Sequence, residues 1–216
     1  MQTRLFLLAA VVSILAGSAS AGVITYDVAV NTSSLSGTAG SLDFQFNPGP
    51  LVSQAADLQI LSFSSDGSLS ACAANIQGFC ATGDVTGTLP GTLTFNNGTG
   101  FNDYFDDFTF GNTLSFKVSL YGPALSTPDG ISTSGSVFAF SMFSDAAGTI
   151  PALTADTTDE FAFTVVVNLD GTTTVTNSSS ETSVSPLPSG VPEPSSFVLL
   201  GAALAFLGVL RFRQPR

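Results

Sequence analysis

The stretch "LSFKVSLY", Leu114 to Tyr121, alternates without a break: Leu114, Phe116, Val118 and Leu120 fall on one side, Ser115, Lys117 and Ser119 on the other. A period of two marks a strand with one face against a core and one toward water. The same pattern recurs in "ITYDVAV" from Ile24, "LDFQF" from Leu42, "LQILSF" from Leu58, "FDDFTF" from Phe105, "VFAFSMF" from Val137 and "FAFTVVVNL" from Phe161. Between the two chain ends no window has a helical period. Pro48-Gly49-Pro50, Pro90-Gly91 and Asn97-Gly98 separate the strands, and Asp170-Gly171 predicts a type I′ hairpin between "FTVVVNL" and "TTTVTN". About eight to ten strands in residues 22–184 predict an all-β fold, a two-sheet antiparallel β-sandwich of jelly-roll-like form. Nineteen phenylalanines and no tryptophan place Phe between the sheets.

Composition supports this reading and removes several functions. Only 10% of the 216 residues are charged against 44% hydrophobic, so the polar surface must come from Ser, Thr, Asn and Gly, residues suited to strands and turns. Residues 22–190 hold one basic residue, Lys117, against fifteen acids. Without a basic patch there is no nucleic-acid partner. With no histidine anywhere, the Cys-His and Ser-His catalytic pairs and most transition-metal sites are excluded. There is no G-x-S-x-G elbow and no phosphate loop. The chain is therefore expected not to be an enzyme, with no catalytic residue, no cofactor and no metal. Two acidic clusters offer the alternatives: Asp103, Asp106 and Asp107 in "NDYFDDF", and Asp156, Asp159 and Glu160 in "DTTDE". Such carboxylates can ligate Ca²⁺ or serve glycoside hydrolysis, but neither cluster matches a calcium loop, and solvated loop acids are the simpler reading.

The ends read as addresses. "MQTRLFLLAAVVSILAGSASA" has Arg4, an apolar core from Leu5 to Ala16, and the small residues Ala19-Ser20-Ala21, the three regions of a signal peptide in order. Its apolar part covers only ~18 Å of a ~30 Å hydrocarbon layer, too little for a span. Residues 1–21 are thus expected to be a signal-peptide helix removed after Ala21, with Ala19 and Ala21 at the cleavage site. In the oxidising space beyond, Cys72 and Cys80 are expected to close a small disulfide loop.

At the other end, "SPLPSGV" makes residues 185–191 a Pro/Ser linker. Then come Pro192-Glu193-Pro194, an apolar run from Phe197 to Leu210, and the cations Arg211, Arg213 and Arg216. The prolines hold the triplet extended and outside the helix that follows. The run is expected to be a transmembrane helix held by the arginines on the cytoplasmic side. This constellation, residues 192–216, resembles the PEP-CTERM sorting signal of Gram-negative bacteria. The resemblance implies recognition of Pro192, Glu193 and Pro194 by exosortase, an integral-membrane enzyme, with Ser195 as the small residue after the triplet and Arg211 and Arg213 as the stop-transfer residues. Phe212, Gln214 and Pro215 interrupt the final basic cluster, a departure from the pattern. The implied course is export, an inner-membrane-anchored precursor, then processing toward the cell envelope, outer surface or extracellular matrix. The expected function is a non-enzymatic envelope or polymer-associated protein. Alternatives are a carbohydrate-binding exopolysaccharide adhesin module, Ca²⁺-dependent or not, and a secreted glycan hydrolase.

Overall fold

The structure, a computed structural model, describes residues 22–70 and 80–188. Residues 22–189 form one compact unit. Its strands in chain order are β1 (Val23–Asn31), β2 (Ala39–Pro48), β3 (Asp57–Ser65), β4 (Ser68–Leu69), β5 (Ala81–Thr82), β6 (Val85–Thr86), β7 (Leu93–Asn96), β8 (Asp103–Thr109), β9 (Thr113–Tyr121), β10 (Ser136–Phe143), β11 (Phe163–Val167), β12 (Thr173–Asn177) and β13 (Thr182–Pro186). Among the described residues, helix is confined to a 3₁₀ turn at Ser33–Leu35 and one α-turn at Pro123–Ser126.

The strands make two antiparallel sheets. The first has the order β13-β1-β9-β3-β7-β6, the second β12-β11-β10-β2-β8-β4, with β5 also paired to β8. Three pairings are nested in sequence: β1 with β9 encloses β2 with β8, which encloses β3 with β7. A long hairpin folded over on itself gives this order and puts alternate pairs in opposite sheets. β10, β11 and β12 then extend the second sheet as a meander, and β13 closes on the outer edge of β1, Tyr26 opposite Pro186 and Val30 opposite Thr182.

Alternation explains the core. Val28 and Val30 of β1, Leu58 and Ile60 of β3, and Leu114, Phe116, Val118 and Leu120 of β9 point inward from the first sheet. Leu42, Phe44 and Phe46 of β2 and Phe138, Phe140 and Met142 of β10 meet them from the second. Phe44 is ringed by Phe140, Phe116 and Tyr104 at centroid separations of 4.8, 5.3 and 6.4 Å, mostly edge-on, the arrangement the ring quadrupole favours. Phenylalanine does fill the space between the sheets. The chain must come very close at Gly40, where a Cβ would lie 2.1 Å from the Phe143 carbonyl oxygen and 2.6 Å from the Phe110 ring.

Two local expectations are revised. The β11–β12 hairpin forms, but not through a type I′ turn at Asp170-Gly171. Asn168 N–H donates to the Thr172 carbonyl, leaving Leu169, Asp170 and Gly171 as a three-residue loop in which, of the three, Gly171 takes positive φ (81°). Asp170 stays on the negative side because its carboxylate accepts from the Thr172 N–H and hydroxyl, a turn stabilised by its own side chain. In addition, β13 carries paired backbone through Pro186, with Leu187 N–H on the Thr25 carbonyl, inside the stretch read from sequence as linker.

Candidate functional sites in the folded unit and at the C-terminus

The first acidic cluster is taken apart by the strand that carries it. On β8, alternation sends Asp103, Phe105 and Asp107 to the outer face of the second sheet, and Tyr104, Asp106 and Phe108 inward. Asp103, Asp106 and Asp107 therefore do not converge.

Asp103 instead meets Asp43, sixty positions earlier on the neighbouring strand. Gln45 stands opposite Asp103 in the β2–β8 register, so Asp43 is its diagonal neighbour. The two carboxyls interact, each perturbing the titration of the other. Ionised carboxylates only accept, so the two can hydrogen-bond to each other only when one of them holds a proton. Burial raises Asp43, against the hydrogen bonds from Asp103 and Gln45; burial also raises Asp103, and the Asp43 hydrogen bond and negative charge raise it further. Gln45 Nε2 donates to Asp43 Oδ2 at 2.8 Å, Asn47 Nδ2 to Gln45 Oε1 at 3.3 Å, and the Asn102 N–H to Asn47 Oδ1 at 2.6 Å. The result is a polar ladder along one face of β2, ending in two buried oxygens, Asp43 Oδ1 and Asp103 Oδ1, without hydrogen-bond partners. Among the described residues no three acidic or cysteine side chains are grouped as metal ligands. Sequence reasoning did not find this pair. Its only trace is Asp43 in an outward slot of "LDFQFN", where Leu42, Phe44 and Phe46 take the inward ones.

Asp106 lies within the sandwich. Its Oδ2 accepts from the Tyr104 hydroxyl at 3.1 Å, and the Tyr104 oxygen in turn accepts the Leu89 N–H at 3.1 Å. Burial pushes Asp106 up to about 6, against the Tyr104 hydrogen bond. Tyr104 is pushed well above the usual phenol range by the same burial.

The second cluster is a loop ornament. Asp156 accepts the N–H groups of Thr158 and Asp159 at 3.0 and 3.1 Å, and these bonds lower its pKa. Asp129, Asp145 and Asp170 are held low in the same way by hydrogen bonds from their own loops. Asp66 is the most constrained: the N–H groups of Asn112 and Thr113 donate to its Oδ1, both at 2.8 Å, and the Asn112 amide donates to Oδ2. These bonds, with that to Thr113 first, bring Asp66 down to about 2 and tie the β3–β4 turn to the β8–β9 turn.

Ala19, Ala21, Cys72, Pro192, Glu193, Pro194, Ser195, Arg211 and Arg213, with the two predicted terminal helices, lie outside the described residues. Cys80 is described: it packs half-buried at the margin of the core and is not a free thiol. Among the described residues no helix is long and apolar enough to cross a membrane.

The chain matches no curated protein and no solved structure. A family model described as the PEP-CTERM protein-sorting motif matches residues 190–214. That segment begins four residues after the last residue of β13, and it contains the Pro192-Glu193-Pro194 triplet, the apolar run and both Arg211 and Arg213. This chain carries a PEP-CTERM sorting motif, the mark of exported proteins that exosortase handles in Gram-negative bacteria.

Proposed function

We propose that the protein is a non-enzymatic β-sandwich of the cell envelope or its extracellular polymer, delivered there through residues 190–214. In this reading the chain is exported with cleavage after Ala21, held by the Phe197–Leu210 span with Arg211 and Arg213 inside, and cut near Pro192-Glu193-Pro194. The observation that carries it is the sorting motif, set directly after the last strand of a compact unit. Residues 192–194 then stand on the linker as an extended handle, the form an enzyme groove reads most easily. The winding of the nested pairs is in our view that of a jelly roll. The non-enzymatic part draws support from the carboxyls. Asp43 and Asp103 are closed on each other, Asp106 on Tyr104, and the loop acids on backbone N–H groups.

The test is the mass of the mature C-terminus in cells with and without exosortase. Loss of the tail only when the enzyme is present is the expected result, and an intact tail in both strains overturns the sorting route. A thiol count on the exported protein checks the Cys72–Cys80 bridge: none is expected without reductant, two with it.

A polysaccharide-binding role is the second reading. It is favoured by a groove lined with hydroxyls, from Ser33, Ser34, Thr154, Ser178 and Ser180, with Glu181 at its side. A panel of exopolysaccharides that leaves the melting temperature of the protein unchanged would remove it.

A further inference from the structure

Seven large apolar side chains among the described residues are left in water: Val23, Leu51, Val52, Phe101, Ile131, Ile150 and Leu169. Strand direction places six of them at one end of the sandwich. β1 begins there, with Val23 opposite Tyr121. The β2–β3 loop carries Leu51 and Val52, the β7–β8 loop Phe101, the β9–β10 loop Ile131, and the β11–β12 turn Leu169. Ile150, in the β10–β11 loop, stands alone at the other end.

These loops form one surface. The Val52 carbonyl accepts from both Thr133 and Ser134 N–H, at 2.9 and 3.0 Å. Gln54 bridges the Thr127 carbonyl and the Asp129 N–H. Gly171 packs so tightly against the Pro128 ring and the Leu125 carbonyl that a Cβ would come within 2.9 and 3.0 Å of them. Ile131 is 78% exposed and Leu51 and Val52 66% each, on loops held by bonds rather than free to tuck them away. Apolar groups fixed outward and gathered in one place are the mark of a contact surface.

The chain itself indicates what that surface meets. β13 ends at Pro186, opposite Tyr26 near the start of β1, so the chain leaves from the same end. From Pro188 eight residues, 189–196, precede the apolar run at Phe197, a tether of at most about 32 Å. We infer that, in the unprocessed chain, this end of the sandwich rests on the lipid surface, with Leu51, Val52, Ile131 and Leu169 seated among the headgroups. The inference rests on the reading of Phe197–Leu210 as a membrane span. Asp129 and Asp170 share these loops and stay ionised, so the seating is shallow and prefers zwitterionic to anionic lipid.

The chain has no tryptophan, so single reporters are clean. Full-length Ile131→Trp, Ile150→Trp and Phe206→Trp variants are reconstituted in phosphatidylcholine vesicles with and without brominated acyl chains. The expected result is a blue-shifted Ile131→Trp emission that bromine quenches, a Phe206→Trp emission quenched more strongly, and an Ile150→Trp emission that bromine leaves alone. Adding anionic lipid should reduce the Ile131→Trp quenching. Quenching of Phe206→Trp without Ile131→Trp overturns the inference and leaves the span standing. No quenching anywhere removes the span and the inference together. Equal quenching of Ile131→Trp and Ile150→Trp denies that one end is preferred. A blue shift at Ile131→Trp that bromine does not touch assigns the surface to a second copy of the chain, and so also overturns it.

Discussion

In β1 the residues that point away from the core, Asp27, Ala29 and Asn31, are open to water, whereas in β10 their counterparts Ala139, Ser141 and Phe143 are buried. Both strands alternate, and both lie between two partners in their sheets. The difference comes from the β10–β11 connection. It turns back over the second sheet, where the Ser41 hydroxyl donates to the Asp145 carbonyl, Phe143 bridges to Pro151, and Gly148 lies against the Phe105 ring. Phe105 and Phe143, at 6.4 Å between centroids, form a small apolar cover on that outer face, and Asp43 is buried on the same face. Alternation thus decides which side chains enter the core. Whether the opposite face stays wet is decided by a loop that the alternation does not describe.

The two inner faces should respond alike: Phe44→Ala from the second sheet and Phe116→Ala from the first are each expected to cost about 3–5 kcal/mol in urea denaturation. A large gap between them would mean that one sheet dominates the core. The outer faces should respond differently. Phe143→Ala is expected to cost about 2–3 kcal/mol, while Ala29→Ser on the first sheet stays within about 0.5 kcal/mol. Near-neutral Phe143→Ala would erase the distinction.

The buried carboxyl pair sharpens it further. Its values are raised in the folded state, so its stabilising contribution is complete below the unfolded value near 3.8 and is lost as pH rises through the folded one. Asp103→Asn keeps a hydrogen-bond donor toward Asp43 and has no proton to lose. The variant is expected to gain about 1–2 kcal/mol on the parent between pH 5 and pH 8, a figure reduced for partial exposure. Parallel pH curves for the two proteins would show that the pair carries no proton. The smallest effect is expected at the exposed Asp66, whose value is lowered to about 2. Its contribution is present above the ordinary carboxylate value and fades as pH falls from 4 to 2. Asp66→Ala should therefore shallow the acid limb of the stability curve and leave the alkaline limb alone.

Much of the sandwich was legible because burial on one face writes itself into sequence with period two. Leu114 to Tyr121, Ile24 to Val30 and Val137 to Phe143 are all strands as read. The two-residue strands β4, β5 and β6 were not legible, since a pairing that short leaves no period. β13 was hidden by Pro186, which an edge strand tolerates and a linker equally explains. Asp43 and Asp103 stayed unconnected because their meeting depends on the register of β2 against β8, a property of the folded chain. The C-terminal motif was legible for the opposite reason: its residues are contiguous, and its meaning needs no fold.

The pairing of β13 with β1 also bears on the order of events in time. A chain that emerges N-terminus first exposes β1 early, yet the partners of that strand are β9 and β13, the latter close to the end of the sandwich. Until they arrive, both backbone edges of β1 are open templates for any other extended chain. Ring closure between such distant segments is slow compared with local hairpins. The unit therefore becomes safe from mispairing only when the residues just ahead of the sorting motif have emerged, so an internal deletion within "TSVSP" that keeps residues 190–214 should show itself in aggregation before it shows itself in sorting.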